Sequence, residues 1–164
     1  MNSFEITGGR SLKGEIIPQG AKNEALQVIS AVLLSSEKIT ISNIPDIRDV
    51  NKLIELLGNM GVSVEKKSEG EYCFQAKSIN RDFLDTDAFS TQAASLRGSI
   101  MIIGPLLARF GKAQIPRPGG DKIGRRRLDT HFIGFKNLGA SFDFDSKENF
   151  YTVEAKALKG SSSL

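Results

Sequence analysis

The chain states one plan twice. Leu33-Leu34 is echoed by Leu106-Leu107, and Lys38 and Ile41 by Lys112 and Ile115, 74 residues on. Farther along, Leu57-Gly58-Asn59-Met60-Gly61 corresponds to Phe135-Lys136-Asn137-Leu138-Gly139, now 78 residues apart, so the second copy has gained four residues between these anchors. A repeat of this length is a supersecondary block that buries its apolar face against its neighbour. Each copy reads as helix, strand, helix, strand, strand, and a preceding strand would complete a βαβαββ order.

The local patterns fill in the plan. Ala25, Leu26, Val28, Ile29, Ala31, Val32, Leu33 and Leu34 cover every side of a helix, which predicts burial all round. Lys38 to Ser42 alternates as a strand. Asp49 to Met60 carries Val50, Leu53, Ile54, Leu57 and Met60 at helical spacing and stops at Gly61. Residues 62–64 and 72–75 read as strands around a polar turn. In the second copy a single buried helix is expected through Ala93, Ala94, Leu96, Ile100, Met101, Ile102 and Ile103, with Arg97 inside it. Ahead of both copies, Phe4-Glu5-Ile6 and Gly14-Glu15-Ile16-Ile17 read as two short strands. The expected class is therefore α/β, with helices buried and sheets outside. Residues 1–21 form a strand segment, repeat one runs about 22–80 and repeat two about 90–158, and the chain stops as a third repeat would begin.

Charge and composition exclude several functions. There are 22 basic and 19 acidic residues, a net charge of +3, and the only dense basic cluster is Arg125-Arg126-Arg127. No aromatic residue interleaves with those arginines, so a base-stacking platform is not indicated and nucleic acid is not expected as a partner. Cys73 is the single cysteine and forms no internal disulfide. The N-terminal residues lack the basic start and apolar centre of a signal peptide. The longest apolar run, Ile100 to Leu107, is too short to span a bilayer and contains Pro105. The expectation is a cytoplasmic protein without a membrane partner. His, Cys and carboxylates show no ligand spacing, and neither a Walker loop nor a dinucleotide fingerprint is present, so no metal and no cofactor are expected.

Two features carry chemistry. The stretch from Pro116 to Asp129 joins a Gly/Pro-rich loop, one carboxylate at its bend (Asp121) and three arginines, within the interval where the second copy has grown. Prolines and paired glycines let such a loop present Asp121 at an exposed tip, beside guanidinium groups that suit an anionic substrate. The second feature is polar groups at the start of apolar helices. Lys22 and Asn23 follow Gln19-Gly20-Ala21, and the 74-residue offset places Arg97 opposite Asn23. The first N–H groups of a helix lack internal partners, and a cation beside them makes a phosphate or carboxylate site. His131, the only histidine, follows Asp129-Thr130 and is open to a structural or a catalytic reading.

With Gly20-Ala21-Lys22-Asn23, Leu96-Arg97, the loop Pro118-Gly119-Gly120-Asp121-Lys122-Ile123-Gly124 and Arg126 to His131 in hand, the chain resembles the N-terminal portion of the UDP-N-acetylglucosamine enolpyruvyl transferase (1-carboxyvinyltransferase) family. The resemblance implies two domains, each an inside-out α/β barrel of three βαβαββ units, with the active site between them. It implies transfer of the enolpyruvyl group of phosphoenolpyruvate to the 3′-hydroxyl of UDP-N-acetylglucosamine, with release of phosphate. Those two small molecules, and the C-terminal portion of the same protein, are the implied partners. Lys22 and Asn23 would contact phosphoenolpyruvate and the sugar nucleotide, and Arg97 and Arg126 would hold the anions. Arg126, Arg127, Leu128, Asp129 and Thr130 would line the uridine side. Asp121 stands where most members carry a cysteine that donates the proton and reacts with fosfomycin, and is the implied catalytic acid. Arg127 and Thr130 also depart from the commonest residues there.

The rival readings are the shikimate-pathway enolpyruvyl transferase and a non-catalytic fragment that binds nucleotide or assembles with another chain. Asn23 and the Gly-Gly-acid loop speak against the first, because its members usually follow the early lysine with serine.

Overall fold

The computed structural model describes residues 3–119 and 127–160. The repeat is its organising fact. The first copy runs α1 (Lys22–Ala31), a 3-10 turn (Val32–Leu34), β1 (Lys38–Ile41), α2 (Arg48–Asn59), β2 (Ser63–Ser68) and β3 (Glu71–Gln75). The second runs from a 3-10 turn (Asp82–Asp85) through α3 (Asp87–Ala94), a 3-10 segment (Arg97–Ile102), α4 (Ile103–Phe110), β4 (Lys112–Pro116), α5 (Asp129–Asn137) and β5 (Ser141–Asp145) to β6 (Phe150–Glu154).

Each copy folds its strands into a three-stranded antiparallel sheet of the same order, β1-β3-β2 and β4-β6-β5. The registers correspond: Lys38 faces Gln75 as Lys112 faces Glu154, and Ile41 faces Tyr72 as Ile115 faces Tyr151. The helices end alike, with Gly61 at φ 95° and Gly139 at φ 89°, a left-handed conformation that glycine adopts without a steric penalty. The hairpin turns are closed by Gly70 (φ 69°) and Asn149 (φ 60°), both also left-handed.

One core serves both copies. Ile29, Leu33, Leu53 and Phe74 from the first pack with Phe89, Ile102, Ile103 and Val153 from the second, all buried. The sheets turn their polar sides outward, and β2 and β5 are mostly exposed. The layers are thus arranged as expected, with helices inside and sheets outside, but within this chain the two sheets do not close into a barrel.

Four expectations change. The two N-terminal strands do not form, and Phe4, Ile6, Leu12, Ile16 and Ile17 stand at least 86% exposed, because a strand without a neighbour to bond is not stable. For the same reason the strand expected ahead of each repeat joins neither sheet. α1 is not buried all round: Ala25, Leu26 and Ile29 face the core, while Val28 is 44% and Leu34 53% exposed.

The single second helix is two, bent by 114° between Asp87–Ala94 and Arg97–Phe110. Ser95 and Leu96 form the break, and the buried Ser99 stitches it, its Oγ lying 2.7 Å from the Ala93 carbonyl oxygen and 2.6 Å from that of Leu96. Arg97 therefore does not sit inside a helix. It opens a new segment and is half-buried. Among the described residues no single helix is long and apolar enough to cross a membrane.

Candidate functional site

Three helical segments begin around one cleft of about 640 Å³. Their first residues are Lys22 (α1), Arg48 (α2) and Arg97 (the 3-10 segment after the break), and all three line it. None of the three starts is capped by a side chain, since Ala21, Ile47 and Leu96 precede them. The leading backbone N–H groups lack helical partners, and the aligned peptide dipoles of α1 and α2 favour negative charge at that end. A cation at each start strengthens that preference.

Asn23, Lys52 and Asp49 complete the polar lining, above an apolar floor of Leu26, Ile100 and Met101. The lining thus holds four cationic side chains against one carboxylate. That carboxylate is already engaged, as Lys22 Nζ donates to Asp49 Oδ2 at 3.0 Å, with both side chains about two-fifths exposed. Lys52 Nζ donates to Ser95 Oγ at 3.3 Å, tying α2 to the break that carries Arg97. On the far side of the break, Gly98 lies against Leu26 so closely that an added Cβ would stand 3.0 Å from Leu26 Cδ1. α1, α2 and the Arg97 segment are therefore held together by packing as well as by polar contacts.

Of the sequence-predicted residues, the structure brings Lys22, Asn23 and Arg97 into this one cleft. Asp121 and Arg126 lie outside the described residues. The loop that carries Asp121 is nonetheless anchored at its start, where Gly119 N–H donates to the Ala94 carbonyl at 2.7 Å, three residues before Arg97. Arg127, Leu128, Asp129 and Thr130 lie at the start of α5 and are not part of the cleft lining. Arg127 there pairs with Asp129, and Leu128 accepts a hydrogen bond from the His131 backbone N–H. His131 itself is exposed.

Arg48, Asp49 and Lys52 were missed, and a signal for them exists. The 78-residue offset that aligns α2 with α5 sets Arg48 opposite Arg126, and Lys52 follows Arg48 by one helical turn.

The comparisons with known proteins agree with this arrangement. Residues 6–163 match the family described as EPSP synthase (3-phosphoshikimate 1-carboxyvinyltransferase). The chain is 56% identical over 164 residues to a UDP-N-acetylglucosamine 1-carboxyvinyltransferase of Bacteroides fragilis, covering all of this chain and 38% of that protein. It is 52% identical over 160 residues to the protein of the same name from Porphyromonas gingivalis, covering 98% of this chain and 37% of that one. The chain thus spans about two-fifths of the length of these curated relatives. Among solved structures, the enolpyruvyl transferase NikO from Streptomyces tendae superimposes with a TM-score of 0.71 at 19% identity, over 93% of this chain and 32% of that one. EPSP synthase from Acinetobacter baumannii gives 0.59 at 16% identity, over 93% and 34%. The two structural matches speak for the fold, the family match for descent. The chain belongs to the EPSP synthase (3-phosphoshikimate 1-carboxyvinyltransferase) family of enolpyruvyl transferases.

Proposed function

We propose that this chain is the N-terminal part of an enzyme that moves the enolpyruvyl group of phosphoenolpyruvate onto the 3′-hydroxyl of UDP-N-acetylglucosamine and releases phosphate, the first committed step of peptidoglycan synthesis. The observation that carries the reading is the shared cleft of Lys22, Asn23 and Arg97, drawn from two different repeats. Both substrates carry phosphate, and a cleft with four cations and three uncapped helix starts suits such groups. The names of the most similar relatives supply the choice of acceptor.

In this reading carbon-3 of phosphoenolpyruvate takes a proton while the sugar oxygen attacks carbon-2, and the tetrahedral adduct then loses phosphate to restore the double bond. Lys22, Asn23, Arg97 and Arg126 align and neutralise the anions, where fixed charge contributes most to the rate. Asp121 delivers the proton, and its loop acts as a lid that excludes water. Residues 127–130 read the uridine side. Residues 1–21, whose apolar side chains are bare in this chain, pack with the remaining domain, and residues 22–164 belong to the first domain. The enzyme works in the cytoplasm, where both substrates are made.

Phosphate release by a full-length protein carrying this segment tests the reading. Release that depends on both substrates is expected, and release with shikimate-3-phosphate in place of UDP-N-acetylglucosamine would transfer the protein to the rival branch.

A further inference from the structure

Arg48 was not expected to take part in binding, and its surroundings give it no structural duty. It is the first residue of α2, exposed, and lines the cleft with Lys22, Asn23 and Arg97. Asp49 is its sequence neighbour, but adjacent residues on a helix point in different directions and do not face each other. Asp49 instead turns to Lys22, at 3.0 Å. Lys52, one turn along the same helix, is engaged with Ser95. Among the described residues Arg48 makes no ion pair and no side-chain hydrogen bond. The single carboxylate of the cleft is thus spent on Lys22, which leaves the guanidinium of Arg48 as a five-donor fork at an uncapped helix start.

The duplicated plan supplies a second, independent argument. The two copies place Asn23 and Arg97, at corresponding positions, on the same cleft. The offset that aligns the ends of α2 and α5 sets an arginine at corresponding positions 48 and 126. Nothing in packing explains an arginine at the exposed position 48. A recurring need for an anion contact does.

We propose that Arg48 is a further binding residue of this cleft and that it contacts a phosphate group of a substrate, either the monoester of phosphoenolpyruvate or the diphosphate of the sugar nucleotide. The guanidinium fork takes two phosphate oxygens at once, and the N–H groups of the first turn of α2 stand behind it. The inference rests on the enolpyruvyl transferase reading of the cleft, and the experiment separates the two.

The full-length protein is titrated calorimetrically with phosphoenolpyruvate and, separately, with UDP-N-acetylglucosamine, as wild type and as Arg48→Ala, Arg48→Lys and Arg97→Ala. Loss of one charged hydrogen-bonding contact predicts roughly tenfold weaker binding of at least one ligand by Arg48→Ala. Arg48→Lys should recover part of that loss, since lysine keeps the charge and forfeits the fork. The ligand affected identifies which phosphate is held. Unchanged affinity for both ligands in Arg48→Ala, with Arg97→Ala weakened, overturns the role of Arg48 and leaves the cleft intact. Wild-type protein that binds neither ligand overturns the reading of the cleft, and Arg48 with it. Because Arg48 is exposed, the thermal midpoint of Arg48→Ala should match wild type. A fall of more than a few degrees would assign Arg48 to stability and likewise overturn the proposal.

Discussion

Arg109 Nη1 donates to the Ala76 carbonyl oxygen at 2.6 Å, so the second repeat grips the first where β3 ends. The same nitrogen reaches the Leu33 carbonyl at 3.1 Å, and Nη2 reaches Lys77 at 3.3 Å. One guanidinium thus gathers the close of the first helical stretch and the exit from the first sheet, which come together only if the two copies dock correctly. Arg109→Ala should cost about 2 kcal/mol, because the fully buried Ala76 loses the partner of its carbonyl. Arg109→Lys should restore less than half, since a single ammonium cannot span the same carbonyls. Urea unfolding of both variants checks the two values. A shift under 0.5 kcal/mol for the alanine variant, an order-of-magnitude threshold, would leave the grip without energetic weight.

The Lys22–Asp49 pair sets the charge of the cleft. Removing the carboxylate frees Lys22 and makes the cleft more positive, so Asp49→Asn should tighten binding of inorganic phosphate. A half-exposed pair contributes up to about 1 kcal/mol, which corresponds to roughly fivefold in affinity. The gain should vanish in the Lys22→Ala/Asp49→Asn double variant. Equal gains in both backgrounds would show that Asp49 acts on the whole cleft rather than on Lys22.

Gly20 passes the backbone of Asn43 so closely that a Cβ would stand 2.0 Å from its carbonyl oxygen. No side chain fits without moving the segment that leads into Lys22. Gly20→Ala should destabilise the fold by about 1–3 kcal/mol and displace the start of α1. Loss of anion binding together with a lowered unfolding midpoint is the expected pair of readouts.

Asp121 cannot serve as the soft nucleophile that a thiolate would be. A full-length enzyme with Asp121 should keep its activity after incubation with fosfomycin, and Asp121→Cys should lose it with time. Mass spectrometry of the Cys variant should find the drug attached at position 121. Covalent inactivation of the unmodified enzyme would refute the assignment of Asp121.

The 164-residue chain alone should not turn over the two substrates, because the closing half of the proposed site lies in the rest of the protein. Purified material of this length that releases phosphate would contradict that.

Most of the architecture was readable because repeats and periodicity are local signals. The period of α2 and its glycine stop predict residues 49–60 against the observed Arg48–Asn59, and alternation found β1, β2 and β3. The break at Ser95-Leu96 was not readable in the same way. The stretch Ala93 to Ile103 is apolar enough to pass for one buried helix, and the bend is fixed by the Ser99 hydroxyl and by Gly98 against Leu26, which are tertiary contacts. The N-terminal strands failed for the opposite reason, since their alternation is real but no neighbour in this chain completes them. In the site, Lys22, Asn23 and Arg97 stood out because polar groups interrupt apolar runs. Arg48 and Lys52 did not, because on an amphipathic helix cations belong to the ordinary solvent face. Only the pairing of repeats distinguishes them.

The 114° bend has a consequence for variation in this region. Straightening the kink with good helix formers at Ser95 and Leu96 would preserve every charge in the cleft and still swing the Arg97 side chain off its bearing. Affinity here is therefore encoded partly in a flaw of the backbone, and substitutions that look harmless by residue type can silence it.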